Sequence, residues 1–245
     1  MTERASVNGI VTEKATVELA GGQTSHEHGA SEATASRRAA RYLRDQILGG
    51  AFPPGSRIQQ EAVAKQLAMS RIPVREALRQ LETEGLVVLV AHGSARVPKL
   101  NFEEYTEIYR IREYLEPLAA AEGALRISAA ELEHLRLLVR EMDDADQDSG
   151  AWLDLDRRFH LASYAPARMP RLQRTVESFW NTTQPYRRAF VSTLTPQEAA
   201  VTRAEHALLL DAFARHDSTD AEQLVRSHIR RTRLRLANHR ELFTE

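Results

Sequence analysis

From Phe102 onward the apolar residues recur at helical spacing and few strand signals interrupt them. Segments at about 103–125, 128–147, 150–165, 168–194, 196–215 and 218–243 each read as a helix. Ser128-Ala129-Ala130-Glu131 is a capping box, and Thr195-Pro196 opens another helix with proline in its first turn. Helices without strands bury their apolar faces against one another, so residues 103–245 predict an all-α bundle of six to seven helices. The longest apolar run, Gly85 to Ala91, falls far below the roughly 20 residues that span a bilayer. Met1-Thr2-Glu3-Arg4 leads into no apolar stretch, so a soluble, cytoplasmic protein with no membrane association is expected. The lack of cysteine excludes disulfides, thiolate metal sites and cysteine nucleophiles.

Ahead of the bundle the pattern differs. Residues 1–35, rich in Thr, Ser, Gly, Ala and Glu, show no sustained period and predict a disordered tail. His26 and His28 lie in it without a third ligand nearby and are assigned no role. Ser36 is placed to cap a helix carrying Ala39, Tyr42, Leu43, Ile47 and Leu48 at helical spacing, ended by Gly49-Gly50. A second helix is predicted from about Gln59 to Leu67, burying Ala62, Val63 and Leu67. After a short link, a third runs from about Arg71 to Glu84, with Ser70 as N-cap and Pro73 in its first turn. Two β-rich runs, Leu86 to Val90 and Ala95 to Val97, flank a glycine turn and predict a hairpin. Three helices with a tight turn between the last two, then a hairpin, describe a winged helix-turn-helix over residues 36–98.

Charge supports that division. The net charge is only −1, yet residues 37–99 hold 11 Lys/Arg against 5 Asp/Glu, a balance of +6. Residues 1–36 carry −3 and residues 100–245 carry −4. A small basic segment ahead of a larger acidic one suggests a polyanion-binding module joined to a second domain.

On the third helix Val74, Ala77, Leu78 and Leu81 form one apolar stripe, while Arg71, Arg75 and Arg79 share the other face. Arginine pairs bidentately with guanine O6 and N7 in the major groove. Ser70 and the backbone N–H groups beside it suit a phosphate. Arg57 and Lys65 are further phosphate candidates, and His92-Gly93 at the wing tip suits the minor groove. Arginine at every fourth position also serves simply to solubilise a helix; here turn, wing and local charge all agree on DNA.

The strings Pro54-Gly55-Ser56-Arg57-Ile58, Leu67-Ala68-Met69-Ser70-Arg71-Ile72-Pro73-Val74-Arg75-Glu76-Ala77-Leu78 and Leu81-Glu82-Thr83-Glu84-Gly85-Leu86 resemble the GntR family of bacterial regulators. The resemblance spans about residues 37–98. It implies a homodimer on palindromic double-stranded operator DNA, with Ser70, Arg71 and Arg75 at the operator and His92 and Gly93 at the wing tip. Two departures stand out: Ile72 where a small hydroxyl residue is usual, and Glu61 where some members place an arginine.

In the acidic half, Asp156 and His160 are spaced i and i+4 on one helical face, and His206 and His228 lie on later helices. One carboxylate and three imidazoles suit a divalent transition metal, and separate helices of a bundle are a common source of such ligands. With 9 histidines in the chain, spacing alone leaves exposed or core histidines as the alternative. Residues 103–240 resemble the FCD-type domain of FadR-subfamily GntR regulators, through Tyr109-Arg110-Ile111-Arg112-Glu113-Tyr114-Leu115-Glu116, Asp156-x-x-Phe159-His160, Glu205-His206 and His228. The resemblance implies that Asp156, His160, His206 and His228 hold a metal, with zinc, nickel or manganese favoured, and that a small carboxylic-acid effector binds against it. It also places Arg112 toward the effector, although an ion pair with Glu116 at i+4 serves that residue equally well. Ala165-Pro166-Ala167-Arg168-Met169-Pro170 replaces the usual link after the first ligands. Arg187 and Arg188 are left between the pocket and the surface.

The leading expectation is a ligand-responsive transcription regulator, a repressor, and not an enzyme. A metal-dependent hydrolase is the first rival, although no further carboxylate presents itself as a general base and phosphate-cradling glycine motifs are absent. A constitutive DNA-binding protein with a purely structural metal is the second.

Overall fold

A computed structural model describes residues 23–90, 94–145 and 148–243. Helix α1 (Gln23–Leu48) begins upstream of Ser36, which lies inside it rather than capping it. The expected tail is therefore helical from residue 23. After a turn through Gly55, strand β1 (Arg57–Gln59) leads directly into α2 (Gln60–Gln66). Ala64 rather than Ala62 joins Val63 in the core, and Leu67 packs against it half-buried. Helix α3 (Arg71–Thr83) follows, with Ser70 at the N-cap position but making no side-chain cap hydrogen bond. Strands β2 (Val88–Val90) and β3 (Ser94–Arg96) form the expected hairpin. The unexpected element is β1, which pairs antiparallel with β3, setting Ile58 against Ala95 in a sheet of order β1-β3-β2. Three residues inside a polar stretch carry too little period for a strand to be read from sequence. The core of this domain is Leu43, Ile47, Ile58, Val63, Val74, Leu78, Leu81, Ala95 on β3 and Val97 just beyond it.

The bundle follows the periodicity closely: α4 (Phe102–Arg126), α5 (Ala129–Asp144), α6 (Ser149–Tyr164), α7 (Pro170–Val191), α8 (Pro196–Ala214) and α9 (Ser218–Leu236). Capping boxes start α4 at Asn101, α5 at Ser128 and α8 at Thr195. Within the six-residue departure, Ala165–Ala167 form a 3-10 turn capped by left-handed Arg168, and Pro170 already begins α7. Helix α4 packs against α6, α7, α8 and α9, so it is buried on more than one side. Gly123 permits this closeness: a Cβ there would lie 2.5 Å from the Ser163 carbonyl oxygen on α6.

Helix α7 also holds the two domains together. Asn181 Nδ2 donates to the Glu84 carbonyl at 2.7 Å, and Thr182 Oγ1 to the Gly85 carbonyl at 3.0 Å, both just beyond α3. Arg188 Nη2 donates to the Leu48 carbonyl at the end of α1, at 2.8 Å. Gly85 has φ +76, and a Cβ on it would lie 2.5 Å from Ser178 Oγ and 3.0 Å from the Ser178 carbonyl oxygen. Left-handed strain costs a non-glycine residue about 1–2 kcal/mol before any clash. Gly85→Ala is therefore expected to destabilise the protein by at least that much, read as a lowered denaturation midpoint.

Candidate metal centre and nucleic-acid interface

The exposed face of α3 carries the three expected arginines, while Pro73, Val74, Ala77, Leu78 and Leu81 face the core. Glu76 lies 3.6 Å from Arg75 and 3.3 Å from Arg79, with all three side chains about half exposed. Such exposed pairs contribute little, so both arginines remain available to an incoming anion. Arg57 and Lys65 are exposed, on β1 and in the last turn of α2. His92 and Gly93 lie outside the described residues. Ile72 stands exposed in the first turn of α3, where an apolar side chain suits a thymine methyl group. Glu61 is also exposed.

The bundle brings Asp156, His160, His206 and His228 together, all buried, with one candidate ligand atom from each lying within 4.8 Å of the others. His206 Nε2 is 3.3 Å from His160 Nε2 and 3.1 Å from Asp156 Oδ1. Asp156 Oδ1 is buried without a hydrogen bond of good geometry. Converging ring nitrogens beside an unsatisfied carboxylate oxygen are the donor set a borderline-soft divalent cation requires, so the residues fit the metal.

Second contacts orient these groups. His160 Nδ1 meets the Tyr164 hydroxyl at 3.3 Å, and that hydroxyl donates to Glu116 at 2.9 Å. His228 Nδ1 meets Glu205 at 2.9 Å, and Glu205 contacts Arg231. His160 and His228 are thus held at Nδ1, and His160 and His206 meet through Nε2, an arrangement typical of metal-binding histidines. Arg187, whose place the sequence left open, reaches Asp156 Oδ2 with Nη2 at 2.5 Å. Arg112 makes the ion pair, its Nε donating to Glu116 at 2.5 Å, and the residue also lines the small void beside His160, His228, Trp180 and Arg187. Trp180 lies under both guanidinium groups, at 4.5 Å from Arg112 and 4.3 Å from Arg187. Tyr164 was not read as a site residue; Glu116 was read only as the partner of Arg112, Glu205 only within the Glu205-His206 motif, and Arg187 was left between pocket and surface. Tyr164 and Glu116 carried one faint signal, a position four residues from His160 and from Arg112 respectively.

Burial pushes His160 down to about 3 and His228 to about 4, and lowers His206 as well. Burial would raise the Asp156 carboxyl, but the Arg187 charge and the neighbouring imidazoles hold it well below the usual carboxylate range. Neutral imidazoles and an ionised carboxylate are the forms that bind a metal.

A winged helix-turn-helix fused to an all-helical bundle defines a two-domain DNA-binding regulator. Residues 35–97 match the gntR family of bacterial regulatory proteins, and residues 107–231 match the FCD domain. The chain is 30% identical over 177 residues to the HTH-type transcriptional regulator McbR of Escherichia coli, covering 71% of this chain and 80% of that protein. It is 27% identical over 216 residues to the galactonate operon transcriptional repressor of Escherichia coli, covering 79% and 93%. The solved structure of McbR/YncC superposes with a TM-score of 0.75 at 26% identity, over 84% of this chain and 98% of that one. The chain belongs to the GntR family of transcription regulators, in its FCD-domain branch, and is not an enzyme. Among the described residues no helix is long and apolar enough to cross a membrane.

The buried histidines make stability depend on pH. In the unfolded chain His160 and His228 take up protons near pH 6.5, whereas in the folded protein burial keeps them neutral to about 3 and about 4. The unfolded state therefore binds protons first, and metal-free protein loses stability as pH falls from 6.5 toward 4. The loss reaches about 1.4 kcal/mol per pH unit for each ring. Urea denaturation midpoints in chelator at pH 7.5, 6 and 5 should fall in that order.

Proposed function

We propose that this protein is a ligand-responsive repressor that binds a palindromic operator as a homodimer. In this reading the bundle holds a divalent transition metal, zinc, nickel or manganese, through Asp156, His160, His206 and His228. A small carboxylate closes the metal's coordination and modulates operator binding. The observation that carries the reading is the convergence of four buried ligand atoms around an unsatisfied Asp156 oxygen. A bound metal supplies positive charge that anchors an anion; the chain's own residues orient it and keep water out.

Operator contact rests on Ser70, Arg71, Arg75 and Arg79 along α3, with Arg57 and Lys65 on phosphates and His92 and Gly93 in the wing. Exposed Ile111, Tyr114 and Leu118 form an apolar stripe on α4 that suits a second copy of the chain.

Modulation follows from the tightness of the site. The void beside His160 and His228 measures about 10 Å³, room for one water. A carboxylate therefore enters only when a wall moves. Helix α7 supplies Trp180 and Arg187 to that wall, and its other side carries Asn181, Thr182 and Arg188 on the DNA-binding domain. Displacing α7 changes how the two DNA-binding domains of a dimer are presented, and hence the half-site spacing they span.

The test begins with metal content and thermal stability of chelated protein, reloaded with each metal with and without a panel of small carboxylic acids. Ligand at about 100 times its Kd should add about 2.7 kcal/mol of stability. His206→Ala is expected to abolish stoichiometric metal in native mass spectra while leaving DNA binding largely intact; normal metal content would overturn the ligand set. On an operator selected from random duplexes, Arg75→Ala should cost about 1–3 kcal/mol and relax base preference. Unchanged affinity on every sequence would remove α3 from the groove.

A further inference from the structure

We infer that the effector carries two acid groups, one for the metal and one for Arg187; this rests on the metal-and-carboxylate reading above. The site's own charges cancel in pairs: Arg187 with Asp156, Arg112 with Glu116, and Arg231 with Glu205. The three histidines contribute none, since a ligating ring is neutral. A divalent ion therefore adds two positive charges with nothing in the chain to balance them. Buried charge without a partner is strongly disfavoured, so the ion selects for a compensating anion. A monocarboxylate leaves one charge uncompensated, whereas a dianion closes the balance.

The structure also offers the second acid group a place. Arg187 is more than nine-tenths buried, and its Nη2 is taken by Asp156, but its Nη1 has no hydrogen-bond partner among the described residues. Arg112, the other guanidinium lining the void, is already committed through Nε to Glu116 and through Nη1 to Thr183. Arg187 Nη1 is thus a buried donor with spare capacity, and a guanidinium N–H is suited to carboxylate. Because Arg187 grips the same aspartate that serves the metal, both acid groups fall within a short reach. The ligand class is a short-chain dicarboxylate.

The experiment is calorimetric titration of zinc-loaded, full-length protein with malonate, succinate and glutarate. Acetate, propionate and butyrate serve as monoacids, glycolate as a chelating hydroxy acid, and zinc content is measured in each sample. The best diacid is expected to bind at least about tenfold tighter than any monoacid or glycolate. In Arg187→Gln that preference should shrink to about twofold or less, and Arg187→Lys should retain part of it by keeping the charge without the fork. If Arg187→Gln fails to fold or to take up zinc, Arg187→Lys carries the comparison, and unchanged discrimination there overturns the proposal. Equal binding of mono- and diacids by the native protein, or a preference for glycolate, overturns it too. So does a diacid preference that survives intact in zinc-loaded Arg187→Gln. Failure of the native protein to take up zinc, nickel or manganese is a separate result, visible in the metal content, and removes the metal reading together with this inference.

Discussion

The contact between Arg187 and Asp156 is the constraint around which the bundle's interior is arranged. Asp156 is completely buried, and a carboxylate in that position cannot stay ionised without a cation at its side. Arg187 supplies that cation from α7 and is itself almost fully enclosed. The pair locks α6 to α7 with one carboxylate oxygen, leaving the other 3.1 Å from His206 Nε2 and 3.6 Å from His160 Nε2. A buried ion pair rarely adds net stability over well-packed apolar groups, because desolvation offsets the attraction. What it contributes here is position: an ionised oxygen held at a defined point inside an apolar bundle.

Around that point the remaining polar groups form closed pairs rather than a solvated pocket. Glu116 accepts from Arg112, Tyr164 and Trp180 at once, and Tyr164 reaches His160 in turn. Polar networks in a low-dielectric interior are stiff when every member is satisfied, and this one is nearly so. Among its unsatisfied atoms, Asp156 Oδ1 and Arg187 Nη1 lie on the same ion pair, and the Tyr109 hydroxyl lines the same void. Helix α7 carries this order outward. Trp180, Thr183 and Arg187 turn toward the network, while Asn181 bridges Arg157, the neighbour of Asp156, to the carbonyl of Glu84 beyond the recognition helix. The Asp156 neighbourhood therefore has a short, hydrogen-bonded route to the DNA-binding domain.

Much of the fold was legible in sequence because local chemistry and global packing agree. Asn101, Ser128 and Thr195 sit where capping boxes begin helices, and two of these, Ser128 and Thr195, were readable from sequence spacing. The recognition helix showed both its faces, apolar Val74, Ala77, Leu78 and Leu81 against Arg71, Arg75 and Arg79. Reading failed where a local signal had two equally good uses. Ser36 is a fair cap, but helix-forming residues ahead of it let α1 start earlier. Residues 57–59 become a strand only because β3 is present to pair with them.

By itself the sequence determined the helices, the hairpin, the basic face of α3 and the i, i+4 spacing of Asp156 and His160. Each of these depends on neighbours within a few turns of chain, where spacing is a direct measure of geometry. Only the tertiary structure decided that Arg187 belongs to Asp156, that Tyr164 and Trp180 join on Glu116, and that Glu205 backs His228. These partners lie 23 to 64 residues apart. No periodicity links such distant positions; they meet because separate helices pack at one depth in the bundle, and burial then forces each charge to find its opposite.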